Sequence, residues 1–314
     1  MRIGVSLQDP AGPSPMTAPS PMTAPSPMTA LREELQRAAD QGFASAWMSN
    51  IFGVDALTAL AVAGSQVPGI EVGTAVVPTY PRHPAVLAQQ ARTVAAAVDG
   101  RLVLGIGLSH KIVIEDMYGY DFSKPILHMR EYLAVLLPLL DGQPAAFTGT
   151  TVRANIGLTT PNSGRVPVVI AALGAQMLRL AGSQADGTVL WMTGPATVRD
   201  HVVPVITEAA ASAGRPSPRV VCLLPVCVTG DPDGARERAT RVFAIYGQLP
   251  SYRAMLDREG AAGPADVAIV GDEDTVAGQI SVLAEAGVTD FVAVEYTGGP
   301  DGARTRAFLR TLLT

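Results

Sequence analysis

The chain has 314 residues, enough for one large domain or two small ones, and 48% of them are apolar, so a sizeable core is available. Its net charge of −5 leaves no basic stripe for nucleic acid, and no run of about twenty apolar residues is present to span a membrane. Residues 1–7 lack a signal-peptide core with a small-residue cleavage site and read as a first strand, so a cytoplasmic protein is expected.

Strand-like and helix-like stretches then alternate to the end of the chain. Residues 2–7 read as the first strand, followed by a proline-rich linker and a helix over 31–41. A strand at 44–48 leads into a helix over 55–65. Residues 70–77 run apolar and end at Pro78 and Pro81, which cannot sit in a central strand. Pro84 is placed to open the next helix, over 85–98. A fourth strand at 101–106, a long connection over 107–124 and a helix over 126–140 follow. A small hairpin is expected near 147–152, then strands at 166–171 and 187–191, with helices starting near 175 and covering 196–213. Cys222 and Cys227 fall inside a seventh strand, 220–228. Their odd spacing puts them on opposite faces, so they are expected to be reduced core residues. Helices over 233–246, 251–258 and 274–286, a strand at 290–294 and a helix over 303–312 complete the series.

Eight strands, each followed by a helix, predict an α/β fold of the (β/α)8 TIM-barrel type, with insertions after strands one and four and before strand five. A doubly wound sheet would place spaced glycines after its first strand, and Asp9-Pro10-Ala11-Gly12 does not supply them. Without a break in composition, residues 1–314 are expected to form a single domain. One stretch stands apart: residues 13–30 are Pro-Ser-Pro-Met-Thr-Ala three times over. Its period is too short for a solenoid unit, and its prolines favour an extended path. It reads either as an inert expansion of a surface loop or as a lid carrying Met16, Met22 and Met28.

Candidate chemistry gathers where strands end. Asn50 follows strand two, Arg82 and His83 follow strand three, and His110 follows strand four. A histidine at a barrel strand's carboxyl end can exchange a proton near neutrality, although lone histidines also fill surfaces and cores. In Ile170-Ala171-Ala172-Leu173-Gly174-Ala175-Gln176 small residues run from a strand into a helix start, a suitable place for a phosphate and equally a plain tight turn. The sequence has no Ser-His-Asp arrangement, Walker loop or metal-like cluster of His, Asp and Glu, so no metal site is predicted. Gly105-Ile106-Gly107 alone is not a dinucleotide fingerprint.

Four ordered motifs carry a family resemblance: residues 74–84 (TAVVPTYPRHP), 100–107 (GRLVLGIG), 167–174 (PVVIAALG) and 185–187 (ADG). Together they resemble the bacterial luciferase-like family, most nearly its branch of deazaflavin oxidoreductases that use coenzyme F420. Residues 47–57 and 108–115 resemble one actinobacterial subgroup of that branch. The resemblance spans nearly the whole chain apart from the hexapeptide repeat. It implies a TIM barrel with the deazaflavin at the strands' carboxyl ends and a non-prolyl cis peptide at Ala75-Val76 behind the ring. The phosphate and lactyl tail would lie along Ala171, Ala172, Leu173, Gly174, Ala175 and Gln176. Gly107, Asn50 and His110 would surround the reactive side, and a homodimer is implied.

The chain departs from its sugar-phosphate dehydrogenase relatives in one place. Their Asp-His pair after strand two, whose histidine acts on the alcohol proton, is Asn50-Ile51 here. An apolar substrate pocket is expected instead, walled by Ile51, Phe52, Leu108, Trp191 and Met192, with Tyr80 nearby. Such a pocket suits hydride delivery from reduced F420 to an activated C=C, C=N or C=O bond of a small organic molecule, with His110 supplying the proton. Two other readings remain: an FMN-dependent luciferase-like monooxygenase fed by a separate reductase, and a non-catalytic cofactor carrier.

Overall fold

A computed structural model describes residues 1–8, 26–161 and 164–313. In chain order its strands are β1 (Arg2–Ser6), β2 (Ser45–Met48), β3 (Glu71–Thr74), β4 (Val77–Pro78), β5 (Leu102–Gly107), β6 (Ala145–Thr148), β7 (Arg153–Ile156), β8 (Val168–Ala171), β9 (Gly187–Trp191), β10 (Arg219–Val228), β11 (Ile269–Gly271) and β12 (Asp290–Glu295). The helices are α1 (Pro27–Asp40), α2 (Ala56–Gly64), α3 (Pro84–Ala97), α4 (Pro125–Leu140), α5 (Ala175–Gln184), α6 (Pro195–Thr197), α7 (Val203–Ser212), α8 (Pro232–Val242), α9 (Pro250–Glu259), α10 (Glu273–Glu285) and α11 (Gly299–Thr311). Counted as strand-then-helix repeats, β1, β2, β3, β5, β8, β9, β10 and β12 make the chain a (β/α)8 barrel, as its alternation predicts. No helix of the described residues is long and apolar enough to cross a membrane.

The chain divides into two compact units. One comprises Leu7–Asp40 and Ala46–Ala171. Within it β3 pairs in parallel with β5, Val72 opposite Leu102, and β5 pairs with β8, Leu104 opposite Val168. All six residues of β5 are buried, so this strand is apolar throughout rather than alternating. The antiparallel hairpin β6–β7 belongs to the same unit. The other unit comprises Met1–Ser6, Gln41–Ser45 and Ala172–Thr314. There β12 lies between β1 and β10, and β10 also pairs with β9. Cys222 and Cys227 are both buried and free, in agreement with the spacing argument.

The structure corrects several expectations. The third strand is not continuous: β3 stops at Thr74 and pairing with β5 resumes at β4, while the Ala75–Val76 peptide bond between them is cis, as the resemblance implies. The strand β11, only three residues long, carries too short a pattern to be read from periodicity; it pairs with the end of β10, Val226 opposite Ile269. The stretch expected as one helix over 196–213 contains a π-helical segment, Val198–Val202, and a second one, Val113–Met117, follows β5. The first helix starts at Pro27, inside the last hexapeptide copy, rather than at 31. The cause is local: Ser26 Oγ accepts from the Thr29 amide at 3.2 Å, and Pro27 takes the first helical position, where its missing N–H costs nothing. The readings of the repeat as inert or lid-like concern mostly residues 13–25, which lie outside the described residues. Replacing the cap, Ser26→Ala, is expected to lower stability by about 1 kcal/mol in urea denaturation.

Candidate active site

In the unit of β3, β5 and β8, the residues singled out from the motifs fall into a close-packed group. An added Cβ on Gly107 would lie 2.6 Å from Val76 Cγ2 and 3.1 Å from Ala171 Cβ. Only glycine lets Val76, just after the cis bond, settle against the carboxyl end of β5. Thr74 fixes the other side of the break. Its hydroxyl donates to the Gly105 carbonyl at 2.8 Å and accepts from the Gly105 amide at 2.9 Å, both buried.

Past β5, Ser109 adopts a left-handed backbone at φ 61°, an uncommon conformation for a side-chain-bearing residue and one often found at functional sites. It turns the chain into His110, whose carbonyl accepts from the Val113 and Ile114 amides at 2.9 and 3.0 Å as the π-helical segment begins. His110 is half-buried, as are Leu108 and Ser109. Burial lowers the His110 pKa from its usual value, so the imidazole is neutral at pH 7. Asn50 is also half-buried, but its Oδ1 is engaged, accepting from the Ala56 amide at 3.0 Å at the start of α2. Ile51 and Phe52 are exposed, and Phe52 faces Tyr118 with ring centroids 6.4 Å apart. His83 caps α3, its Nδ1 accepting from the Ala85 amide, and Nε2 therefore donates to the Arg153 carbonyl at 3.1 Å. Arg82 pairs with Asp55, the N-cap of α2.

In the other unit, Ala172, Leu173, Gly174, Ala175 and Gln176 form the turn into α5. Gly174 is its N-cap, exposed, with no atom within 4 Å of an added Cβ, and no acidic residue occupies the first turn. The first amides of such a helix have no acceptors within the helix and present a partial positive charge. The turn is pinned from behind. His201 Nε2 donates to the Leu173 carbonyl at 2.8 Å, and Thr188 Oγ1 donates to the Ala172 carbonyl at 3.4 Å. Trp191, half-buried at the end of β9, packs edge-on against Phe243 and Tyr246, with centroids 5.6 and 5.5 Å away. Burial raises the Tyr246 pKa, and the nearby indole of Trp191 partly offsets it. Met192 follows at φ 52° and is buried.

Sequence reasoning missed His201, His128, Phe243 and Tyr246. Each acts through a contact with a residue far away in the chain; the only local sign for His128 is a polar side chain on the buried face of α4. Among the described residues no group of three His, Cys, Asp or Glu could hold a metal ion.

The profile described as luciferase-like monooxygenase matches residues 1–290, and the chain belongs to that family. Among its relatives, the 5,10-methylenetetrahydromethanopterin reductase of Methanolobus tindarius is 27% identical over 86% of this chain and 82% of its own length. The Methanopyrus kandleri enzyme of the same name is 27% identical over 84% and 88%. In fold, the chain is similar to the coenzyme F420 dependent tetrahydromethanopterin reductase from Methanopyrus kandleri (TM-score 0.79, 23% identity, 98% of this chain and 97% of that one). It is similar also to the FMN complex of a type II Baeyer-Villiger monooxygenase from Pseudomonas putida (TM-score 0.75, 19% identity, 99% and 97%). The sequence relatives are oxidoreductases, and the structural neighbours include users of F420 and of FMN.

Proposed function

We propose that the protein is a coenzyme F420-dependent reductase acting on an activated C=C, C=N or C=O bond of a small organic substrate. The observation that carries this reading is the seat made by Val76 against Gly105 and Gly107, on a chain whose sequence relatives are reductases. The residues fit the cofactor's chemistry. Within one unit Ala75, Val76 and Gly107 offer an apolar bed for a flat ring; taken by itself, the α5 start of the other unit, with no acidic residue in its first turn, suits a phosphate. When bound, the deazaflavin supplies a hydride and reacts poorly with oxygen.

The chain's own residues orient and protonate. A neutral His110 presents an N–H to the atom that gains electron density. Its imidazolium, the form that can hand over a proton, grows as pH falls toward its lowered pKa. The rate of reduction is therefore expected to fall as pH rises above that value. Ile51, standing where alcohol-oxidising relatives carry a histidine, favours the reductive direction. A homodimer and a cytoplasmic location belong to the same reading.

The test is titration of the apo protein with oxidised F420 and, separately, with FMN. F420 is expected to bind at least about tenfold more tightly, a difference of roughly 1.4 kcal/mol. Reduced F420 should then turn over with an enone, imine or ketone panel. Preference for FMN with oxygen consumption would replace this reading with the monooxygenase one, and tight F420 binding without turnover would leave a carrier.

A further inference from the structure

The segment that follows β4 is gripped by one helix. The Thr79 amide donates to the Gly107 carbonyl at 2.9 Å, which extends the pairing of β4 with β5 by a residue. The Thr79 hydroxyl meets His128 Nε2 on α4 at 3.0 Å, both groups buried. The next residue, Tyr80, lies flat on the His128 imidazole, with ring centroids 3.9 Å apart and planes 9° from parallel. Phe122 packs on the Tyr80 ring at 5.3 Å. One turn along α4, Tyr132 packs 5.6 Å from the His128 ring, and its hydroxyl donates to the Arg82 carbonyl at 3.0 Å. Thus α4 holds residues 79, 80 and 82, which continue directly from the Val76 seat.

We infer that His128 is a positioning residue for the cofactor bed: its imidazole fixes Thr79 by a hydrogen bond and Tyr80 by stacking, and thereby sets the strand end that Val76 and Pro78 belong to. This rests on the function proposed above. A histidine suits the place because one group provides both contacts. A phenyl ring would stack without reaching the Thr79 hydroxyl, and an amide would reach it without covering Tyr80.

The electrostatic surroundings keep the imidazole uncharged. Burial lowers its pKa to about 4, against the opposing pull of Glu131 on the same helix. The groups facing it are the Tyr80 and Tyr132 phenols. Tyr80 is itself raised to about 12 by burial and by the carboxylates of Asp121 and Glu115, and burial raises Tyr132, which Arg82 opposes. All three rings are therefore neutral through the working range, so the grip is steady from mildly acid to mildly alkaline pH.

The experiment compares the wild type with His128→Ala, His128→Phe and His128→Gln by three measurements: the F420 dissociation constant, the thermal midpoint, and fluorine NMR of 3-fluorotyrosine protein, with Tyr80 assigned through Tyr80→Phe. The Ala variant is expected to weaken F420 binding about tenfold or more, since a misplaced bed costs affinity at a distance. The Tyr80 resonance should move with it. His128→Phe should restore much of the Tyr80 shift and part of the affinity, and His128→Gln should restore neither shift nor full affinity. Unchanged F420 binding with an unmoved Tyr80 resonance in His128→Ala overturns the inference. So does a loss of affinity that follows the thermal midpoint equally in all three variants. Should the wild type bind no F420, the functional reading fails, and the Tyr80 resonance alone decides: moved in Ala and restored in Phe upholds the grip, unmoved overturns it.

Discussion

Replacing Gly105 by alanine is expected to destabilise the chain by about 4 kcal/mol or to prevent folding. The added Cβ would sit 1.8 Å from the Thr74 carbonyl oxygen, well inside van der Waals contact. Thr74 cannot yield, because it is completely buried and its hydroxyl is tied twice to the Gly105 backbone. Moving either strand would also break the Val77–Ile106 pairing that restarts after the cis bond. Urea denaturation measures the loss. Gly278→Ala provides the contrast: this glycine lies within α10, is exposed, and has nothing within 4 Å of its new methyl group. It should stabilise the protein by about 1 kcal/mol through helix propensity alone. Equal effects at the two sites would show that the close approach at Gly105 is not what holds the break in place.

The second large effect belongs to Glu131, a buried carboxylate on the inner side of α4. Its Oε1 accepts from the Thr150 amide at 2.8 Å. Its Oε2 accepts from the Thr151 amide at 2.6 Å, the Thr151 hydroxyl at 2.7 Å and the Val152 amide at 3.1 Å. The turn of the β6–β7 hairpin is thus wrapped around one charge. Gly149 permits the wrap, since a Cβ there would lie 2.4 Å from the carboxyl carbon. Burial pushes the Glu131 pKa up, and the hydrogen bonds outweigh it, bringing the group down to about 2 from 4.5. A pKa lowered on folding stabilises the native state above the unfolded value. That contribution is whole above 4.5, shrinks as pH falls below it, and is gone once pH passes through about 2. Glu131→Gln is expected to cost about 3 kcal/mol at pH 7, because an amide can satisfy only part of this donor set. The difference from wild type should narrow steadily between pH 4.5 and 2. A difference that stays constant over that interval would assign the effect to packing rather than to charge.

Both predictions concern residues whose importance the linear chain hides, and the same division runs through the molecule. The barrel strands were legible because β5 and its neighbours are buried on both sides and so read as unbroken apolar runs. The break at 75–76 was legible only by likeness to other sequences. Nothing in Ala-Val marks it locally, and the two glycines that pack beside it, Gly105 and Gly107, lie a strand away. Gly107, Val76 and Ala171 do come together, as the motifs suggested. Ile51 and Phe52, in the loop after β2, are exposed. His128 and Thr79 are 49 positions apart, and Glu131 reaches residues about 20 positions ahead. Such pairings are set by the packing of helix on strand and leave no periodic trace.

The start of α1 bears on how this gene can vary. The cap and the first helical residues, Ser26-Pro27-Met28-Thr29, are spelled identically at residues 14–17 and 20–23. Gain or loss of a whole six-residue copy ahead of them would leave the same four letters at the head of the helix. A whole-unit change is therefore compatible with α1 keeping its cap, whereas an insertion between Ser26 and Thr29 that does not restore these four letters would separate the hydroxyl from the amide it accepts from.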